Sequence, residues 1–179
     1  MGEFTLRRPL FSWFPLTFAT VVWLFFWILL AAEEVTGAWL GALVVAAMIT
    51  FFWTLGWGNA IRYGPTHVSV TNLLLTTRVA WTDVRSVSNE DGLTIVLRDS
   101  RKLSSIQFGG SLLGEFTGYP SHQDARNALK AAHEKATYGQ EPPTTEVHVE
   151  TRLWWRRPLL LFALVYASFL PALALHQLI

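Results

Sequence analysis

The residues best suited to chemistry in this chain are five histidines: His67, His122, His133, His148 and His176. None stands four residues from another and no HExxH occurs, so no helix face offers the paired imidazoles of a zinc site. His122 and Asp124 are too close in sequence to make a convincing ligand pair, and zinc would need further ligands. Serines and threonines are plentiful, but there is no GxSxG and no evident acid–base partner for a hydroxyl nucleophile. Cysteine is absent, which removes thiol catalysis, disulfides and cysteine-based metal sites. The glycines between Gly109 and Pro120 lack the GxGxxG and Walker spacings that cradle phosphate. Neither an enzyme, a cofactor nor a bound metal is expected.

What remains is binding. Arg98, Arg101 and Lys102 flank a turn at Asp99-Ser100, and Arg78 and Arg85 lie on neighbouring strand candidates. On one shared face they would meet anionic headgroups or a partner, each cation worth about 1 kcal/mol near an anionic surface. Asp83, Glu90, Asp91 and Asp99 dilute any such patch, and the alternative is an ordinary solvated surface. A net charge of +1 gives no support to a nucleic-acid partner.

The elements that would position these residues begin with membrane spans. Pro9 to Ala32 carries no charged side chain and is long enough for a hydrocarbon core of about 30 Å. It exceeds the apolar core of a secretory signal, which is about 7–15 residues. Glu33-Glu34 marks an aqueous turn, since carboxylates are costly in lipid. Val35 to Ile61 is again free of charge and reads as a second, antiparallel span ending near Trp57-Gly58-Asn59, and Gly37 with Gly41 gives a GxxxG spacing that lets helices approach closely. Pro158 to Ile179 reads as a third, kinked at Pro171. No carboxylate lies within these runs, which argues against a proton relay or an ion-coupled transporter. The basic residues Arg7-Arg8, Arg62 and Arg152, Arg156, Arg157 fall on one side if each run crosses once. The expected topology is therefore a multi-pass protein of a bacterial cytoplasmic membrane, with the N-terminus and middle region inside and the C-terminus outside. Trp13, Trp53, Trp57, Trp154 and Trp155 fall near the inner edge and Trp27 and Trp39 near the outer, as headgroup-level rings do.

From about Arg62 the pattern changes to short alternating runs. His67 to Val70 reads as a strand, Thr71-Asn72 as a turn, Leu73 to Trp81 and Val84 to Val87 as further strands. Asn89 to Gly92 is a turn with a strong Asp-Gly signal. Leu93 to Leu97 and Leu103 to Phe108 complete an antiparallel meander, with no interval long enough for a βαβ crossover. Ser121 as cap and Asp124 three residues on suggest a helix start. Ala125, Ala128, Leu129, Ala132 and Ala136 give its apolar face, ending by Gly139. The division expected is a two-helix hairpin over 1–61, a β-rich domain over 62–137, a linker over 138–157 and a third span over 158–179. Val147-His148-Val149 could add a strand to an open sheet edge within that linker.

The run Val70-Thr71-Asn72-Leu73-Leu74, followed by Val79-Ala80-Trp81-Thr82-Asp83-Val84, resembles the V-x-N-x-L … V-x-W-x-D-V signature of bacterial PH-like domains. The likeness is to actinobacterial small membrane proteins of the low-molecular-weight antigen 6-like family, and it covers roughly Pro9 to Lys135. Those proteins also place two spans before such a domain; the third span here departs from that plan. The resemblance implies a split β-barrel with a C-terminal helix and no established catalytic activity. Trp81 would anchor a strand end in the core, and Asp83 would accept hydrogen bonds from the following turn. The function expected is a non-catalytic tether or scaffold for a membrane or cytoplasmic protein. Two alternatives stand beside it, an anionic-lipid-sensing module and an accessory subunit of a larger membrane complex. A homo-oligomer is also open.

Overall fold

The computed structural model describes residues 2–32, 38–88, 92–109, 120–139 and 146–176. In chain order the elements are β1 (Phe4–Leu6), α1 (Pro9–Ala32), α2 (Ala38–Trp53), β2 (Ala60–Tyr63), β3 (His67–Asn72), β4 (Leu75–Ala80), β5 (Val84–Ser88), β6 (Gly92–Leu97), β7 (Lys102–Gly109), α3 (Pro120–Thr137), β8 (Val149–Leu153) and α4 (Arg156–His176). A π-helical turn, Thr54–Gly58, continues α2, and a 3-10 turn, Trp81–Asp83, joins β4 to β5. The chain forms two compact units, Met1–Arg8 with Asn59–Leu153, and Pro9–Gly58 with Trp154–Ile179.

The helical unit holds three helices long and apolar enough to cross a membrane, over Phe11–Leu30, Ala38–Gly58 and Arg156–Ala174. In lipid every backbone group must be satisfied within the segment, which is why such runs are helical. The hydroxyls of Thr17, Thr20 and Thr50 donate to the carbonyls four residues earlier, so they bring no unmet polar group. The helix α2 is the middle member and packs against both α1 and α4. Its seam is Ala38, Ala42 and Ala46, buried at a spacing of four, with Ile49 below. Small side chains let the backbones approach, and Phe26, Leu30, Phe169 and Leu173 fill the space opposite. The Phe26 and Phe169 rings meet edge to face at 4.9 Å. Trp23 Nε1 donates to Ser168 Oγ at 3.4 Å, fixing α1 against α4.

Gly41 does lie at a helix contact, since a Cβ there would stand 3.3 Å from the Phe26 ring. Gly37, Glu33 and Glu34 lie outside the described residues. The second apolar helix ends at Gly58, inside the expected Trp57-Gly58-Asn59 end, and the uncharged residues Ala60 and Ile61 beyond it are strand residues. Gly56 is tighter than Gly41: a Cβ there would meet the Ser12 carbonyl oxygen at 2.8 Å. The third helix starts two residues before Pro158 and runs on through Pro171.

The other unit is built on two antiparallel sheets. One has five strands in the order β1-β2-β3-β4-β8, the other three in the order β5-β6-β7. The core between them is Ile61, Val68, Val70, Val79, Trp81, Val84, Leu93, Ile95, Leu97 and Phe108, with Ala125 and Leu129 of α3 packed onto it. Side chains alternate across a strand, so Ile61, Val70 and Val79 face inward while Arg62, Ser69 and Arg78 face out.

Four expectations need correcting. The polar lead is not part of the hairpin: Phe4, Thr5 and Leu6 pair with Tyr63, Arg62 and Ile61 as an edge strand. The linker is not free, because Val149–Leu153 pairs with β4 at its other edge, two residues beyond the start suggested by Val147-His148-Val149. The turn falls on Leu73-Leu74, not Thr71-Asn72. Asn72 stays in the strand because its side chain bridges to β7, donating to the Ser104 carbonyl at 2.7 Å and accepting from Ile106 N–H at 2.9 Å. Leu73 takes the left-handed turn conformation at φ 54° and donates its N–H to Asn59 Oδ1. Finally, α3 starts at Pro120, one residue before the expected Ser121 cap, and proline suits a first helical position because its missing N–H leaves nothing unsatisfied there.

Gly56→Ala should therefore destabilise the protein in detergent micelles by about 1–3 kcal/mol, because the obstacle is backbone. Gly41→Ala, facing a ring that can give way, should cost less. Equal unfolding midpoints for the two variants would contradict this packing.

Candidate functional site

Trp81 and Asp83 form a structural node. Trp81 is buried, its Nε1 donates to the Gly64 carbonyl at 2.8 Å, and its ring packs against His133 at 5.8 Å. His133 Nε2 lies 3.0 Å from the Val84 carbonyl, which ties α3 to the start of β5. Asp83 is buried too, but its acceptor role differs from the expected one. Oδ2 accepts from His148 N–H at 3.2 Å, 65 residues on, so the carboxylate pins the entry to β8 and not the following turn.

The five basic candidates do not make one face. Arg78 lies on β4 opposite Glu150. Arg98 donates to the Thr82 carbonyl at 3.5 Å, and Arg101 pairs with Asp99 at 2.5 Å while donating to the Val147 carbonyl at 3.3 Å. These contacts hold the β6–β7 turn against neighbouring strands. Arg85 and Lys102 are exposed on the smaller sheet.

A different basic face exists on the outer side of the five-stranded sheet. Across β1, β2, β3, β4 and β8 one row reads Thr5, Arg62, Ser69, Arg78, Glu150. The neighbouring row on that face carries Ala60, Thr71, Thr76 and Arg152. Arg7 follows the last residue of β1, and its guanidinium is pushed below the usual arginine value by burial and by the charge of Arg62 beside it. Arg62 Nη1 donates to Thr71 Oγ1 at 3.3 Å, and Thr71 and Thr76 share a hydroxyl contact of 3.0 Å. Glu150 is drawn below the usual carboxylate range by its hydrogen bonds from Arg152, 2.5 Å away, with Arg78 adding to the effect. Sequence reasoning treated Arg7, Arg62 and Arg152 as orientation signals. The signal that they share a face was the alternation in β2 and β8.

On the core side of the same edge, a groove of about 510 Å³ runs between β1–β2 and α3. Phe4, Tyr63 and Pro65 line one wall and Ala128, Ala132 and Ala136 the other. Phe4 and Tyr63 stack at 5.5 Å, yet Phe4 stays largely exposed. At the start of α3, His122 is buried against the Phe108 ring at 5.5 Å, near Arg8, whose N–H donates to Gln107 Oε1 at 3.2 Å. Burial and the Arg8 charge push its pKa down. Among the described residues no three of His, Asp and Glu come together as metal ligands would. Compared with known protein families, curated proteins and solved structures, the chain matches none.

The lowered pKa of His122 gives a pH dependence with a definite sign. The unfolded histidine takes a proton near 6.5, while the buried one resists it. Stability is therefore complete above that value and falls as pH drops below it, by at most about 1.4 kcal/mol per unit. His122→Phe should flatten the slope of unfolding free energy between about pH 6.5 and 5; an unchanged slope would place its origin elsewhere.

Proposed function

We propose that this is a non-catalytic, three-span protein of a bacterial cytoplasmic membrane whose β unit is a PH-like domain, held at the inner face as a tether or scaffold for another protein. One observation carries the reading. The strands β1, β2 and β8 belong to one sheet, and each is joined to a membrane-length helix by one or two residues. A domain sewn together this way stays at the bilayer surface. Two antiparallel sheets followed by a helix agree with the split β-barrel and C-terminal helix that the PH-like resemblance implies. The strand β8 is an addition that matches the added third span. The edge strand β1 and the adjoining groove offer backbone and apolar surface to an extended segment of a partner.

The full chain, extracted in mild detergent and captured from its native membranes, should bring down a protein in near-stoichiometric amount. Ala132→Arg, which fills the groove, should lose it without lowering the unfolding midpoint by more than about 1 kcal/mol. Capture of no protein, or of the same set by both forms, would overturn the role given to this surface. Single cysteines can be added freely to a chain that has none. In intact cells an impermeant thiol reagent should miss one at Arg85 until the membrane is opened; labelling of intact cells would reverse the orientation.

A further inference from the structure

We propose that the span-proximal end of the five-stranded sheet is a built-in site for anionic lipid headgroups, with Leu74, Leu75 and Leu153 in the interface and Arg7, Arg62 and Arg152 on the phosphates. The register sets the height of each residue. Asn59 alone separates the end of α2's terminal turn from β2, and Trp154-Trp155 separate β8 from α4. Asn72, Leu75 and Leu153 lie in register across β3, β4 and β8, at the end of the sheet nearest these junctions. The bond from Leu73 N–H to Asn59 Oδ1 holds the β3–β4 turn at the same level. Three large apolar side chains are exposed there, Leu74 at 38%, Leu75 at 51% and Leu153 at 60%. At a polar turn in water such a cluster would be a liability; at the level where the chain enters lipid it is matched to its surroundings.

The cations follow in sequence. Arg152 is one residue above Leu153. Arg62 is three above Asn59, about 10 Å at the usual strand rise, and Arg7 lies beside it. A headgroup layer is about 5–8 Å deep, within reach of a flexible arginine side chain from that height, and guanidinium forks match phosphate oxygens. One carboxylate, Glu150, shares this face and offsets part of its charge. Glu150 is engaged by Arg152 and faces Arg78, and Glu3 lies by Gly64 at the opposite end of the sheet, with its Cγ 3.7 Å from where a Gly64 Cβ would sit. Thr71, braced by Thr76, holds Arg62 and so acts as a positioning residue. The inference rests on the three-span reading but not on the partner role.

The test uses the full chain in nanodiscs of phosphatidylcholine alone or with phosphatidylglycerol. Phosphatidylglycerol should raise the thermal midpoint and leave retained lipids on the protein in native mass spectrometry. Arg62→Gln with Arg152→Gln should cut the retained anionic lipid at least threefold, whereas the charge-matched pair Arg85→Gln with Lys102→Gln should leave it unchanged. Equal losses from both pairs, or the same midpoint shift from inorganic phosphate in neutral nanodiscs, would overturn the lipid assignment. A second readout does not depend on affinity. A fluorophore on Leu74→Cys should be quenched by brominated acyl chains, and one on Arg85→Cys should not. A probe on Leu24→Cys, mid-way along α1, reports the crossing itself. Quenching at position 24 without quenching at 74 would sink the inference and leave the three spans standing.

Discussion

Strand β1 can pair with β2 only if residues 9–58 return the chain to the side from which it left. The register Phe4–Tyr63, Thr5–Arg62, Leu6–Ile61 joins the two ends of the hairpin by backbone hydrogen bonds. That constraint orders the rest. It ties both ends of residues 9–58 to one sheet, and β8, pairing with β4 at the far edge, ties the start of α4 to the same sheet. In the proposed membrane arrangement, three crossings leave the far end of α4 opposite. The arginine distribution points to the same arrangement through a separate physical effect, the retention of basic residues on the inner face.

Within the helical unit the same economy recurs. Lipid offers no hydrophobic force between helices, so association depends on close packing and a few hydrogen bonds. The helix α2 meets this with alanines at 38, 42 and 46, and Trp23 with Ser168 adds a polar link between the outer two helices. At the end of α2, Trp53 stacks on Trp154 at 6.1 Å and Arg157 lies over Trp154 at 6.0 Å. These amphipathic groups suit the headgroup level and tie the ends of α2 and α4 together.

The spans and most strands were legible because their signals are local. An uncharged run predicts α1 from Pro9 to Ala32 as the structure has it. Alternation and the Asp99-Ser100 turn predict β6 and β7. The elements missed draw their stability from distant partners. Phe4–Leu6 is too short to show a period, and it becomes a strand only because β2 presents an open edge. Val149–Leu153 alternates weakly and is held by β4 and by Asp83, neither of them near in sequence. The turn at Leu73-Leu74 contains no usual turn residue; the side chains of Asn59 and Asn72 define it. The GxxxG spacing drew attention to Gly41, while the main seam sits one residue on, in alanines that look unremarkable in an apolar run.

The basic residues show why one-dimensional proximity misleads about surfaces. Arg98 and Arg101 cluster in sequence but spend their donors on Thr82, Asp99 and Val147, where they brace a turn. Arg62 and Arg152 are ninety residues apart, yet antiparallel pairing through β3 and β4 brings them to one face. Each is joined to a membrane-length helix by a stub of a few residues. A flexible linker would allow the domain to sample solution, and its contact with headgroups would then depend on an effective concentration set by linker length. Strands joined to membrane-length helices by one or two residues remove that freedom, so the guanidinium contacts proposed above would carry little further ordering cost.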